Sequence, residues 1–145
     1  MNSPIILVSC VKLKNQRPSA AKDLYCSTLF KEMRRFAESK GGSWGILSAK
    51  YGLLMPDDQI EPYELTLNTM RKPQRQSWSS GVWQRLEPQL KPDSTVVFLA
   101  GVKYREFLVD NLLREGHRVL IPMEGIRSFT QVSWLQNEGK KWEPA

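Results

Sequence analysis

A chain of 145 residues with 41% hydrophobic and 25% charged side chains has the make-up of one globular domain with one core, taken here as residues 1–145. Its apolar runs are far too short for a membrane span, and two cysteines with one histidine are too few for a disulfide framework or a zinc site, so neither metal nor cofactor is expected. A formal net charge of +6 directs attention to a polyanionic partner, with the placement of that charge deciding.

The N-terminal stretch MNSPIILVSC is apolar but has no basic n-region and no cleavage site, so PIILV at 4–8 reads as the first strand of a cytoplasmic protein. A helical pattern follows, with Cys26, Phe30, Met33 and Ala37 at four- and three-residue spacing, closed by Gly41 and Gly42. SWGILS at 43–48 is a second strand. Residues 49–72 then show no clear period, and a stretch of that length inside a compact domain is usually functional. Pro73 opens a second helix with Trp78, Val82, Leu86 and Leu90 in one stripe. STVVFLA at 94–100 is a third strand, followed by a helix over 102–115 whose Tyr104, Leu108 and Leu112 share a face and which Gly116 stops. HRVLIP at 117–122 is a fourth strand, and a last helix begins near Ser128 with Phe129, Val132 and Leu135. Strands alternating with helices require right-handed crossovers, so the expected fold is α/β, a three-layer sandwich around a mainly parallel four-stranded sheet.

In open parallel sheets, ligands bind beyond the carboxyl ends of the strands. The loops expected there carry Lys12, Lys14, Arg17, Lys22, Lys50, Arg71, Lys72, Lys103, Arg105 and Arg127, together with Tyr25, Tyr51, Tyr63 and Tyr104. Cations interleaved with aromatics suit phosphate contacts and base stacking, whereas the plain alternative is a solvated lysine face with its tyrosines in the core. Asp57, Asp58, Glu61 and Glu64 crowd one of these loops. Cleaving an N-glycosidic bond needs both kinds of group: a carboxylate for the cationic sugar and its attacking water, and donors for the departing base. Asp57 directly after Pro56 also suits a rigid turn, so turn-making is the alternative role for each acid. Cys10, at the end of the first strand, is a weaker nucleophile candidate because no histidine is near it in sequence. Gly101 and Gly125 follow strands and would admit a ligand close to the backbone, and Gln131 could read a base edge.

Taken together, the segments SC.K with DLY.S.LF, ILSAKYGLL.PDD.I.PYELTL, FLAG..Y and P.EGI....Q..WL resemble an uncharacterised bacterial and phage family of small proteins loosely labelled YaaA-like. A fainter similarity links them to the catalytic domain of archaeosine synthase, which in turn resembles the uracil-DNA glycosylase fold. The resemblance implies a glycosylase-like α/β sandwich that holds an extruded base at the strand ends and cleaves its N-glycosidic bond with water. The glycine-glutamine-aspartate-proline and histidine-proline-serine signatures of uracil glycosylases are missing, so a modified base is the expected substrate, the hypermodified bases of phage DNA among the candidates, with host defence as a setting.

The expected activity is therefore that of a monomeric DNA glycosylase that leaves an abasic site. Asp57, with Glu61 next, would orient water and stabilise the sugar, and Lys50 would assist the leaving base. Ser9, Cys10, Ser48, Gly101, Glu124 and Gln131 would line the base pocket, with Tyr25 or Tyr63 stacking. Lys12, Lys14, Arg71, Lys72, Lys103 and Arg105 would hold phosphates. Should Asp57 point away from the pocket, Glu61, Asp23 and Glu124 become the carboxylates to consider. The alternatives are a nucleoside- or nucleotide-processing enzyme, including an archaeosine-synthase-like amidotransferase of deazaguanines, and a DNA-binding protein without chemistry.

Overall fold

The computed structural model describes residues 3–9, 14–40 and 42–144, so Cys10 and Lys12 lie outside the described residues. In chain order the elements are β1 (Ile5–Ser9), β2 (Ser19–Ala20), α1 (Ala21–Leu24), α2 (Thr28–Ser39), β3 (Trp44–Ser48), β4 (Gly52–Leu54), β5 (Gln59–Ile60), α3 (Lys72–Leu86), β6 (Thr95–Leu99), α4 (Val102–Arg114), β7 (Arg118–Leu120), α5 (Ser128–Gln136) and α6 (Glu138–Lys141).

The apolar, β-branched runs become the centre of the sheet. Ile6, Leu7 and Val8 of β1 and Val96, Val97 and Phe98 of β6 are wholly buried, as expected of parallel strands covered on both faces. The strands are ordered β4-β3-β1-β6-β7, with β1 paired in parallel to both β3 and β6, and β6 in parallel to β7. The four strands expected from sequence are thus present and mutually parallel, but the sheet has five. The fifth, β4, comes from the stretch without a period and pairs antiparallel with β3, Leu47 opposite Leu53. Gly52 makes the hairpin possible: its φ of +75° is a left-handed conformation that side chains disfavour. The Ser48 hydroxyl accepts from the Tyr51 amide at 3.0 Å inside that turn, while Leu53 and Leu54 are buried.

Helices α2, α3 and α4 follow their apolar stripes, whereas in α5 only Leu135 of the expected Phe129, Val132 and Leu135 is buried and Phe129 stands in solvent. Ser27 caps α2 by accepting from the Phe30 amide at 3.1 Å, and Phe30, Met33, Phe36 and Ala37 are buried. At α3, Gln74 Oε1 accepts from the Arg71 amide at 3.0 Å. This helix ends at Leu86, because Pro88, which has no amide proton, sits in the following 3-10 turn Glu87–Gln89. Leu90, expected in the same stripe, reaches the core from beyond the helix. Gly116, at φ +83°, closes α4 with Gly116 N–H donating to Leu113 and His117 N–H to Leu112, the paired bonds of a Schellman end. Helix α2 packs with α5, and α3 with α4. Among the described residues no helix is long and apolar enough to cross a membrane.

Candidate functional site

The right-handed rule sends the chain leaving β1 for α2 and the chain leaving β6 for α4 to opposite faces of the sheet, so a crevice opens between the two strand ends. A cleft of about 380 Å³ lies there, within the size range of small-molecule sites. Ser9 ends β1 on one side; Leu99, Ala100 and Gly101 end β6 on the other. Leu29 and Met33 of α2 and Ile121, Met123 and Ile126 supply apolar wall. Asn68, Tyr104, Arg105, Glu124, Ser128 and Gln131 supply the polar groups.

The polar side chains of the cleft are held by backbone carbonyls and by one another. Arg105, whose side chain is 12% exposed, donates to the Ala100 carbonyl at 2.7 Å and reaches Glu124 Oε2 at 3.4 Å. A guanidinium anchored at the end of β6 thereby fixes a carboxylate on the far side of the cleft. Glu124 is the one carboxylate among the described lining residues. Gln131 Nε2 donates to the Ile126 carbonyl at 3.0 Å, which orients its Oε1. The Tyr104 hydroxyl lies 3.3 Å from the Leu67 amide and 3.3 Å from Thr66 Oγ1, tying the segment that carries Asn68 to α4. Lys103 Nζ donates to the Asn68 carbonyl at 3.1 Å, so its ammonium stands at the rim. Gly101 has no heavy atom within 4 Å of where a Cβ would be.

Ser48, Tyr25 and Tyr63 form a separate buried cluster at the end of β3. The Tyr25 and Tyr63 hydroxyls are 2.6 Å apart, and Ser48 Oγ donates to Tyr63 at 2.9 Å. Trp78 Nε1 donates to the Ser48 carbonyl at 2.8 Å. Tyr63 meets Tyr25 and Tyr51 edge to face, and Lys14 Nζ stands 4.5 Å from the Tyr63 ring centre. None of these residues lines the cleft. The tyrosines brace the fold through their hydroxyls and edges.

The acids between β4 and β5 are also engaged. Asp58 Oδ2 accepts from the Met55 amide at 2.8 Å, and the Pro56 and Asp58 carbonyls accept from the Lys22 and Ala21 amides. This turn is therefore zipped onto the start of α1. Asp57, 83% exposed, pairs with Lys22 at 2.6 Å; the hydrogen bond and the negative charge raise the Lys22 pKa. Glu61 is exposed, with its backbone against the Tyr51 hydroxyl. Lys50 lies over the Tyr51 ring, 5.3 Å from its centre. Asp23 pairs with Arg34 at 2.8 Å. Asp57, Glu61, Lys50 and Asp23 do not line the cleft, nor do Arg71 and Lys72, which sit exposed at the start of α3. Of the residues singled out from sequence, the cleft gathers Ser9, Gly101, Tyr104, Arg105, Glu124, Gly125 and Gln131. Asn68 and the α2 residues Leu29 and Met33 also belong to it, and no local pattern marks them. Among the described residues no group of three or more histidine, cysteine or acidic side chains is spaced to hold a metal ion.

The fold and its cleft define an α/β protein with a mostly parallel sheet and a ligand-sized site at the point where its strand order reverses. Within that class, the model of a family of unknown function, DUF6884, matches residues 5–137, and the chain belongs to this family. It is similar to the uncharacterized protein YfjM of Bacillus subtilis (strain 168), with 34% identity over 113 residues, covering 77% of this chain and 74% of the relative.

Proposed function

We propose that the cleft receives a nucleobase and that the protein is a DNA glycosylase, acting in the cytoplasm to release a modified base and leave an abasic site. The observation that carries this reading is Glu124: one carboxylate, held by Arg105, at a cleft whose other polar groups include the amides of Asn68 and Gln131 and the hydroxyls of Ser9, Ser128 and Tyr104. Amides and hydroxyls are the groups that read base edges. A three-layer sandwich of the uracil-DNA glycosylase kind agrees with the pairing of α2 with α5 and of α3 with α4.

In this reaction the bond between C1′ and the base nitrogen breaks and its electron pair leaves with the base. Glu124 stabilises the oxocarbenium-like sugar and orients the water whose oxygen then bonds C1′, taking a proton from it. Donors at the β6 end, the backbone amides beyond Gly101 and the Asn68 amide, offset the charge on the departing base. Glu124 thus takes the role that Asp57 and Glu61 were expected to fill.

DNA carrying natural and modified bases, incubated with the protein and heated in alkali, should break at the abasic sites with wild-type protein and not with Glu124→Gln. Intact strands across a broad panel would refute the reading. The cleft volume also suits a free nucleoside, and mass spectrometry of a nucleoside mixture after incubation distinguishes that enzyme class.

A further inference from the structure

Val102 in the lining of the cleft, and residues adjacent in sequence to Val102 and Ser128, form a second set that the bond-cleaving chemistry does not use. Val102, the first residue of α4, lines the cleft yet is 58% exposed. Phe129 follows Ser128, which also lines the cleft, and is 77% exposed, the most exposed large apolar residue among the described residues. Single exposed apolar side chains are ordinary on a protein surface. What sets these two apart is their position and their neighbours. Each stands in the first turn of a helix that opens onto the same cleft, and each has an exposed cation close by: Lys103 beside Val102, Arg127 two residues before Phe129.

We infer that this rim binds a single-stranded polynucleotide, with Phe129 stacking on a base next to the one in the cleft while Lys103 and Arg127 hold the flanking phosphates. The inference rests on the nucleobase reading of the cleft and adds to it the strandedness of the substrate. An isolated exposed ring stacks most readily on a base whose face is already open, as in a single strand; within a duplex it must first unstack neighbouring pairs, at a cost of about a few kcal/mol per step. Two cations beside the mouth match the short footprint of a strand tracked through a groove, with affinity shared between stacking and phosphate contacts.

The test is fluorescence anisotropy at low salt with a labelled oligothymidylate of about a dozen nucleotides, the same strand paired to oligoadenylate, and thymidine monophosphate as competitor. The single strand should bind more tightly than the duplex and resist the mononucleotide. Phe129→Ala should weaken single-strand binding by about tenfold or more, and Phe129→Trp should retain it. Equal affinity of Phe129→Ala and wild type, tighter binding of the duplex, or no binding to the single strand would overturn the inference. Because binding is read without base release, strand binding that depends on Phe129 and survives in Glu124→Gln, combined with no base release from any substrate, would sink the glycosylase reading alone.

Discussion

Glu124 and Asp57 are both exposed carboxylates, each paired with one cation, Arg105 and Lys22 respectively. Their surroundings separate them: Arg105 is anchored to the Ala100 carbonyl inside the cleft, whereas Lys22 belongs to α1, onto which the turn carrying Asp57 is bonded. Glu124→Gln should lower the rate of base release by at least about 100-fold with little change in melting temperature, and Asp57→Asn should leave the rate as it is; single-turnover assays and thermal melts check both. The Asp57 partner has a further signature. Because the folded protein raises the Lys22 pKa through the Asp57 hydrogen bond and charge, the stability this contributes is fully present below the ordinary lysine value. It is lost as pH rises through the raised one. The difference in melting temperature between wild type and Asp57→Asn should therefore shrink in the alkaline range. At Gly101, φ is −66° and a side chain would meet open space, with no heavy atom within 4 Å of its first carbon. Gly101→Ser should therefore preserve folding, since serine caps helices well. Any loss of substrate affinity it causes then reports a ligand lying close to this backbone.

Among the elements, the β3–β4 hairpin and the cluster at its base are the most exposed to single changes. Tyr63→Phe removes the hydroxyl that meets both Tyr25 and Ser48, and leaving buried partners short of a hydrogen bond should cost about 1–3 kcal/mol in urea unfolding. Gly52→Ala places a side chain at φ +75° with only Val82 at ordinary contact distance; the penalty of about 1–2 kcal/mol is conformational and should appear in the same experiment. The helices α2, α3 and α4 were legible because each buries a stripe at helical spacing, whereas α5 buries only Leu135 of the expected Phe129, Val132 and Leu135. The strand β4 was not, since Gly52, Leu53 and Leu54 are too few to show alternation and depend on β3 for their pairing. The end of α3 was blurred for a related reason: Leu90 keeps the stripe going although Pro88 has already ended the helix.

Across the whole molecule, the net charge of +6 favours any polyanion, and what matters is which cations touch it. Binding of a single strand should fall with salt, and Lys103→Ala should lower the slope of log affinity against log salt by about 0.7. Lys40→Ala, which removes an ammonium beyond the end of α2, next to the Trp142 carbonyl and away from the residues that line the cleft, should leave that slope unchanged. Local patterning sufficed for the alternation of strands and helices, and with it for a site beyond the strand ends, because period and turn residues act over a few neighbours and the crossover rule then restricts the topology. That is why Ser9, Gly101, Glu124 and Gln131, each at the end of a strand, just after one or early in the helix that follows, could be placed beside this cleft from the chain alone. Which acid lines the cleft was decided only on folding. Asp57 and Glu124 have the same chemistry and similarly loop-like surroundings in sequence, but β4 and the turn after it draw Asp57 onto Lys22, while the segment following β7 brings Glu124 to Arg105. Side-chain direction in a loop depends on contacts made by residues far apart in the chain, and no local period encodes it.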